Sequence, residues 1–462
     1  MRRELTRYAE FAMASRFDIA ILLFLMAGFV GILQLHSHPV VWGGGLEMIS
    51  IAKNVADHGA FADPFAVLGT GPTAANPPLY PLMLALLIKL LRQPGLIALA
   101  ATLGSLLANA ITAALLPYVS FLFFGEAISG TAASVLWIGA MQPLPAWDTS
   151  YTVVGLVTFV LLTASDAHKR TDMLRRGVLA GSVAGLLFLL NPSSGLVFLP
   201  WLLYIYVRSR THAPHALKYC FVLLIAFCIL PVAWAARNYR ELGSFVIRTN
   251  LGMTLYASNN DCAQSTMIED ELNGCYRAHH PNVSVSEAQL VRNLGEVQYD
   301  RKRMADTKSW IYSHPRRFCQ LTLTRIGEFW FPPVDQSSMF HADIISLITT
   351  LSIPGLIFMG HRREPVTPFV LGVLLLYPLI YYIVVIDVRY RYPILWLSLL
   401  PAGYCVRQLL RLVVALPADG AAKTPEAAIA EPHQKVRNIY PTSTSRSPIE
   451  VHGSPSVERA PR

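Results

Sequence analysis

The stretch NPPLYPLMLALLIKLL, residues Asn76–Leu91, decides how the chain is arranged relative to a membrane. Its apolar part, Leu79–Leu91, falls well short of the about 20 residues that a helix needs to cross the hydrocarbon core. A proline pair suits the first turn of a helix, and a short apolar helix can lie in the interface instead of crossing it. Whether this segment crosses or stays on one face sets the orientation of every later segment.

The composition indicates an integral membrane protein. Of 462 residues, 53% are hydrophobic and 15% are charged, and the mean hydropathy is +0.42. The apolar residues form long blocks, whereas a soluble chain of this length spreads its charge more evenly. We predict about ten spans, with the fifth and sixth blocks below counting as two spans only if NPSS at 191–194 is a turn. The blocks are Phe17–Leu35, Leu96–Phe121, Ile128–Ala146, Thr149–Ala164, Gly177–Leu190, Gly195–Val207, Tyr219–Ala236, Ile344–Gly360, Val366–Ile386 and Pro393–Leu412.

The distribution of basic residues predicts the topology. Lys and Arg cluster at the N-terminus and in short loops at 166–176, 208–218 and 361–364. The positive-inside rule places such loops in the cytoplasm. If Leu79–Leu91 crossed the membrane, all three loops would face outward. We therefore predict that it is an interfacial or re-entrant helix on the outer face of a multi-pass inner-membrane protein. The net charge of +9 is then explained by the basic loops beside the spans, and no nucleic-acid partner is expected.

Two domains are predicted from these patterns. Residues 1–413 form the membrane module, with an outer loop at 36–95 and an outer helical cap at 237–341. The first apolar block lacks a small-residue cleavage site, so we expect a retained span and not a signal peptide. Residues 414–462 are rich in Ala, Pro and Ser with mixed charge, which predicts a disordered cytoplasmic tail.

Local patterns predict helices in both outer regions. In the first loop, apolar residues recur at helical spacing, Glu47 lies in the first turn, and Gly59 is a suitable C-terminal cap. In the cap, a Ser followed three residues later by Glu predicts a helix over 284–313. A second, amphipathic helix is predicted at Arg316–Trp330, after the proline that ends the first.

Four motifs carry a resemblance to a known family. They are WAARNYRELGSFVIRTNLGMTLYASNND at 234–261, GLEMISIAKNVADHGAFADPF with PPLYP in the first loop, LGEVQYDRKRMADTKSWIYSHPRRF in the cap, and RYRYP at 389–393. Over Trp42–Pro393 the chain resembles bacterial family 39 and related C-type glycosyltransferases (GT-C), which include dolichyl- or polyprenyl-phosphate-dependent mannosyltransferases and aminoarabinose transferases. The resemblance implies an all-α integral membrane fold of GT-C type. It also implies sugar transfer from a polyprenyl-phosphate donor to a lipid, glycan or protein acceptor at the outer face.

The catalytic carboxylates are predicted at Glu47 and Asp148. Transfer requires a carboxylate to accept the acceptor's hydroxyl proton while the anomeric carbon becomes positive. Relatives carry an Asp-Glu pair early in the first-loop helix, but alignment here puts Gly44 and Gly45 at those positions. Glu47 lies about one turn further along the same face, and we predict it as the base, with Asp148 assisting. Alternatively, both residues only complement helix N-termini.

Residues that contact the donor phosphate are predicted at span ends and within the motifs. Arginine suits this role because its rigid fork matches phosphate oxygens. We favour Arg389 and Arg391 over Arg248, and the alternative for Arg237 is a headgroup-snorkelling arginine. The predicted donor or substrate contacts are Tyr80, Arg237, Asn238, Arg389 and Arg391.

Cysteine and histidine patterns predict a disulfide and no resident metal. Cys262 and Cys275 lie close together in an outer loop, where an oxidising compartment favours a disulfide. His279, His280 and Asp261 offer potential metal ligands, but adjacent loop histidines are usually solvated. No cofactor is therefore predicted, with a divalent metal as the open alternative.

Two other functions remain open from the sequence. A ligase or polymerase of lipid-linked glycans would use a diphosphate donor, and a non-enzymatic lipid-glycan transporter would use the same lipid. A transporter of this kind often shows repeated halves with broken helices, and no repeat is evident here. A nucleotide-sugar enzyme is disfavoured, because the chain has neither a phosphate-binding glycine loop nor a GxGxxG motif.

Overall fold

The computed structural model describes residues 2–37, 46–141, 147–164, 173–208, 213–334 and 339–414. Over these ranges the chain is helical and contains no β-strand. Nearly all of the predicted tail, from residue 415 onward, lies outside the described residues. The helices are α1 Arg2–Ser37, α2 Leu46–His58, α3 Leu79–Leu91, α4 Pro94–Phe124, α5 Ile128–Ala140, α6 Asp148–Ala164, α7 Met173–Leu190, α8 Gly195–Arg208, α9 Ala213–Leu242, α10 Leu251–Ser258, α11 Met267–Leu272, α12 Cys275–His279, α13 Val285–Leu294, α14 Glu296–Ser313, α15 Pro315–Trp330, α16 Met339–His361, α17 Thr367–Leu376 and α18 Tyr392–Val414.

Fewer of the described helices than predicted are both long enough and apolar enough to cross a membrane. Among the described residues, four segments have both the length and the apolar composition of a span, namely Ser15–His36, Pro94–Phe124, Ala216–Leu242 and His341–His361. Other apolar helices are shorter, such as α5 with 13 residues and α8 with 14. At 1.5 Å per residue these reach only about 20 Å, against about 30 Å of hydrocarbon. The predicted count of about ten spans is therefore not confirmed.

Helix α3 is as short as its sequence predicts. It starts after Pro78 and ends where Arg92 adopts a left-handed conformation with φ 57°. Leu86 and Leu90 are exposed, while the opposite face is buried in the protein, through Tyr80, Pro81, Leu84 and Ala85. One buried and one exposed apolar face suit a helix lying in a bilayer interface. Which side of the membrane α3 lies on is not determined by this arrangement, and its position on the outer face stays a prediction.

Glycines allow close helix packing in the membrane module. Gly177, Gly181 and Gly185 follow each other at four-residue intervals on α7 and face the backbone of α9. A Cβ atom at Gly181 would collide with the carbonyl oxygen of Leu223. Small residues at such spacing let two helix backbones approach closely in a membrane protein.

The helices predicted for the cap are confirmed in part. The single helix predicted to follow Ser284 is two helices, α13 and α14, because Gly295 between them has φ +77°, a conformation that breaks a helix. Ser284 accepts the main-chain N–H of Glu287, but the Glu287 carboxylate pairs with Arg303 instead of returning to the cap. The amphipathic helix predicted at Arg316–Trp330 is confirmed as α15.

The predicted disulfide between Cys262 and Cys275 is present, with Cα atoms 5.6 Å apart. It joins the loop after α10 to the first residue of α12. Because α12 has only five residues, this covalent link is a principal restraint on its position. The bridge therefore anchors the short segment that ends at His280.

Candidate active site

The first predicted carboxylate, Glu47, faces the cap. It lies in the first turn of α2, which ends as predicted at Gly59, where φ is +72°. The Glu47 side chain is 20% exposed, and its Oε1 atom lies 3.7 Å from Nε2 of His280. The first outer loop and the cap therefore meet at this carboxylate.

His280 was predicted to be solvated, and this prediction is wrong. The residue is only 9% exposed, because its ring stacks on Tyr276 with centroids 4.6 Å apart. Its Nδ1 atom accepts a hydrogen bond from the main-chain N–H of Asn282 at 3.2 Å. Burial lowers the pKa of His280, Glu47 acts to raise it, and Arg389 lowers it further. An adjacent pair of histidines gave no sequence signal of this burial.

The second predicted carboxylate, Asp148, is held by the NPSS turn. It is the first residue of α6 and is 7% exposed. Asn191 donates from Nδ2 to Oδ2 of Asp148 at 3.0 Å, and its own Oδ1 accepts from the hydroxyl of Ser193 at 2.7 Å. The Ser193 hydroxyl also lies 3.0 Å from the hydroxyl of Tyr377. The turn between α7 and α8 thus orients Asp148 through a continuous hydrogen-bond network.

The charge of Arg389 interacts with both predicted carboxylates. Its guanidinium stacks 3.5 Å above the ring of Trp147, and its Nε lies 3.1 Å from Oδ2 of Asp387. Burial alone would lower the pKa of Arg389, but Asp387, Tyr390 and Glu47 together raise it above its ordinary value. Its positive charge also acts on Asp148. The predicted donor arginine therefore interacts electrostatically with both predicted catalytic carboxylates.

Arg248, ranked below Arg389 and Arg391 from the sequence, belongs to the same cluster. Its Nε donates to the carbonyl oxygen of Ala75 at 2.7 Å, and it interacts electrostatically with both Asp148 and Glu47. The cluster thus consists of two carboxylates and two arginines. We call it the four-charge cluster, made of Glu47, Asp148, Arg248 and Arg389.

Arg391 is placed differently from Arg389. It is 2% exposed, its Nη1 donates to the carbonyl oxygen of Trp330 at 2.8 Å, and its guanidinium lies over that ring. Its Nε and Nη2 atoms have no hydrogen-bond partner among the described residues. Burial lowers the pKa of Arg391 to about 9, with Tyr382 and Tyr392 as its interacting groups. The structure therefore does not bring Arg391 into the four-charge cluster.

Arg237 and Asn238 bind main-chain groups of the loops predicted to lie outside the membrane. Arg237 donates to the carbonyl oxygens of Thr73 at 2.7 Å and Phe61 at 2.8 Å. Asn238 is fully buried and donates to the carbonyl oxygen of Val246 at 2.8 Å. Their predicted contact with the donor phosphate stays a prediction, and a phosphate would have to compete with these carbonyl groups.

Tyr80 is buried next to Tyr151. It is 2% exposed, so its ring is enclosed by protein, and its centroid lies 6.1 Å from that of Tyr151. Its hydroxyl has no hydrogen-bond partner in the described part of the chain, and the charge of Asp148 acts on it. The PPLYP motif therefore places a buried phenol within electrostatic range of the second carboxylate, and its predicted substrate contact stays a prediction.

One group of side chains in the cap has the composition of a metal site. Potential ligand atoms of Cys262, Cys275 and His279 lie within 4.8 Å of one another. Zinc binds cysteine as the thiolate, and here both sulfur atoms are joined in the disulfide. In the oxidised protein this group therefore offers a metal only the histidine.

The comparisons with known proteins show likeness only at the level of structure. No family model matches the chain, and no curated protein matches it. The archaeal oligosaccharyltransferase AglB from Archaeoglobus fulgidus, solved with an inhibitory peptide and a dolichol-phosphate, matches with a TM-score of 0.52 and 11% identity, over 88% of this chain and 52% of that one. An Archaeoglobus fulgidus oligosaccharyltransferase in complex with Zn and sulfate matches with a TM-score of 0.52 and 10% identity, over 86% and 49%.

A third structure extends the same result. An Archaeoglobus fulgidus oligosaccharyltransferase tethered to an acceptor peptide with an NVT sequon matches with a TM-score of 0.50 and 10% identity, over 87% of this chain and 51% of that one. The chain thus spans about half the length of the solved structures that it matches. At such low identity the likeness concerns the fold, and it does not extend to the family 39 subfamily that the motifs resemble. The chain therefore shares a helical fold with these oligosaccharyltransferase structures over about half of their length.

Proposed function

We propose that the protein is a membrane glycosyltransferase that moves a sugar from a polyprenyl-phosphate donor to a lipid, glycan or protein acceptor. The reaction takes place on the outer face of the inner membrane. The observation that carries the proposal is the four-charge cluster within a GT-C fold. Its two carboxylates suit proton transfer, and its two arginines suit a phosphate leaving group.

Glu47 is the proposed base. As the acceptor oxygen forms a bond to the anomeric carbon, the bond from that carbon to the phosphate oxygen breaks, and the acceptor's proton passes to Glu47. The partial exposure of Glu47 supports this role, because a base must reach the acceptor hydroxyl. Asp148 is proposed to orient the acceptor, since its carboxylate is more deeply buried and is held by Asn191.

Arg389 is the proposed principal contact for the donor phosphate, with Arg248 assisting. The arginines stabilise the negative charge that develops on the leaving phosphate, and stabilisation of developing charge by preorganised groups is often the largest catalytic effect. The stacking of Arg389 on Trp147 and its contact with Asp387 support a preorganised guanidinium. Arg391, Arg237, Asn238 and Tyr80 remain weaker proposals for donor contact.

The structural likeness favours a second candidate, a ligase that transfers a whole lipid-linked glycan. The matched structures include an oligosaccharyltransferase bound to dolichol-phosphate and one tethered to an acceptor peptide. Such a ligase would use a diphosphate donor, and the four-charge cluster is chemically suited to either leaving group. The lipid that accumulates when the protein is absent distinguishes the two candidates.

The test compares surface glycans and polyprenyl lipids from wild-type and deletion strains by mass spectrometry. We expect a missing glycan modification and an accumulated polyprenyl-monophosphate sugar, whereas an accumulated diphosphate glycan would favour the ligase. Re-expression of Glu47→Gln should leave transfer lower by about 10²–10⁴-fold, the usual contribution of general-base catalysis. Asp57→Asn, an exposed carboxylate on the same helix, is the matched control and should restore the product.

Two outcomes would contradict the proposal at different levels. If the deletion changes neither glycans nor polyprenyl lipids, the protein is not a transferase of this kind. If Glu47→Gln restores the product within about threefold of wild type, well inside the usual general-base effect, transfer stands but Glu47 is not the base. Reporter fusions at 58 and 148 should also report the outer side, and fusions at 171 and 211 the cytoplasm.

A further inference from the structure

The contact between Glu47 and His280 joins residues that lie far apart in the sequence. Glu47 comes from the first outer loop and His280 from the end of α12 in the cap, and their Oε1 and Nε2 atoms are 3.7 Å apart. We propose that His280 is a positioning residue that holds the Glu47 carboxylate in its proton-accepting orientation. This inference rests on the proposed function, in which Glu47 is the base.

The orientation of the His280 ring is restrained on two sides. The face of the imidazole stacks on Tyr276 with an interplanar angle of 19°. The Nδ1 edge accepts the main-chain N–H of Asn282. With one face covered and one nitrogen engaged, the ring presents its Nε2 edge to Glu47.

The same hydrogen bond determines which nitrogen carries the proton. A neutral imidazole has one donor and one acceptor nitrogen, and Nδ1 is the acceptor because the Asn282 N–H donates to it. The residue is buried, and burial disfavours the charged form of an imidazole, so the ring is neutral. Nε2 therefore carries a hydrogen that points toward the Glu47 carboxylate.

With this tautomer His280 acts as a positioning residue and not as a proton relay. An Nε2 atom that already holds a hydrogen has no free lone pair, so it cannot accept a proton from Glu47. It can instead donate to one carboxylate oxygen and leave the other to receive the acceptor's proton. The 3.7 Å separation exceeds a hydrogen bond, and contacts of this kind often tighten only when substrate binds.

The disulfide supports the position of His280 from the other side. Cys275 is the first residue of α12 and His280 follows its last, so the bridge to Cys262 fixes the start of the segment that carries the imidazole. The other charged groups that act on His280 are Arg389 and Glu287. The cap therefore reaches the carboxylate through a short and covalently restrained element.

The test uses His280→Phe, which keeps an aromatic ring on Tyr276 but removes the N–H donor. His280→Gln can place an amide N–H near the same point, and His314→Phe, at an exposed cap histidine, is the matched control. Each variant is expressed from an inducible promoter in the deletion strain. The readout is the initial rate at which the missing glycan product reappears, divided by the amount of protein in the membrane.

We expect His280→Phe to lower this rate by on the order of 10²-fold, the cost of a small misplacement of a catalytic group. His280→Gln should recover most of the loss, and His314→Phe should match wild type. The double variant Glu47→Gln, His280→Phe should have the same rate as Glu47→Gln alone. A purely structural role of His280 would not produce this result. Such non-additivity is the signature of two residues acting through one interaction.

Three results would overturn the inference. They are a His280→Phe rate within about threefold of wild type, far from the expected 10²-fold loss, a further loss in the double variant, and no recovery with His280→Gln. If His280→Phe does not accumulate in the membrane, His280→Met, which also lacks the donor, replaces it. If Glu47→Gln loses activity and His280→Phe keeps full activity, only this inference is refuted. If Glu47→Gln keeps full activity, the proposed role of Glu47 as base is refuted.

Discussion

Glu296 is predicted to hold the segment that leads into α3, and its replacement should destabilise the protein measurably. The carboxylate is 7% exposed and accepts three hydrogen bonds. The donors are the main-chain N–H of Ala74 at 2.7 Å and the hydroxyls of Thr73 and Thr249. Through these bonds the cap is attached to the first loop just before the NPPLYP stretch.

The expected magnitude follows from the donors that each variant leaves unpaired. Glu296→Leu leaves all three donors without an acceptor, and a buried unpaired donor costs about 1–3 kcal/mol, so the total is on the order of 5 kcal/mol. Glu296→Gln keeps one oxygen that can still accept from Ala74, so its cost is about 1–2 kcal/mol. At roughly 2 °C of melting temperature per kcal/mol for a large domain, we expect losses of about 10 °C and about 3 °C.

The assay is thermal unfolding of the purified protein in detergent, followed by tryptophan fluorescence at one fixed scan rate, because such unfolding is often irreversible. Glu271→Leu, at an exposed carboxylate of α11, is the control and should shift the melting temperature by no more than about 1 °C. A Glu296→Leu variant that melts within about 2 °C of wild type, less than about 1 kcal/mol, would refute the reasoning. It would mean that the loop is held without this carboxylate.

Three further predictions address the donor site, the disulfide and the pH dependence of stability. Arg389→Lys should weaken binding of polyprenyl phosphate by about 10-fold or more, because a lysine cannot form the bidentate contact, while Arg391→Lys should weaken it less; equal losses in a lipid-binding titration would contradict the distinction. Replacing Cys262 and Cys275 with Ser should cost about 3 kcal/mol of stability by the chain-entropy estimate for so short a loop and lower transfer, and unchanged transfer would show that the bridge does not support the site. Burial raises the pKa of Asp270 from 3.8 to about 6, so the folded state disfavours its ionised form. Stability should therefore fall by at most about 3 kcal/mol as pH rises through this window. Asp270→Asn should remove that fall in thermal unfolding recorded between pH 4 and pH 7.

Features set by residues close together in the chain can be predicted from the sequence. α2 ends at Gly59 and α15 begins at Pro315 because glycine permits a left-handed conformation and proline suits a first turn. Cys262 and Cys275 are bridged because their separation of 13 lets a short outer loop close. The all-helical membrane architecture was also predictable, because long apolar blocks persist over most of the chain.

Element lengths are less determined by local pattern. The apolar block starting at Ile128 predicts a helix to Ala146, but α5 ends at Ala140. The pattern after Ser284 predicts one helix, and Gly295 divides it into two. Hydrophobicity indicates where a helix can form, whereas the chain's path through the fold decides where it stops.

Only the tertiary structure decided which charged groups meet. Arg389 and Arg391 are next-but-one neighbours, yet Arg389 lies near both predicted carboxylates and Arg391 lies against Trp330. Nor did the sequence indicate that His280 is buried against Glu47, because nothing within a few residues of either position requires it. Side-chain direction at the ends of helices depends on contacts between elements that are distant in sequence. The residue types were therefore predictable from the sequence, but their assembly into one cluster was not.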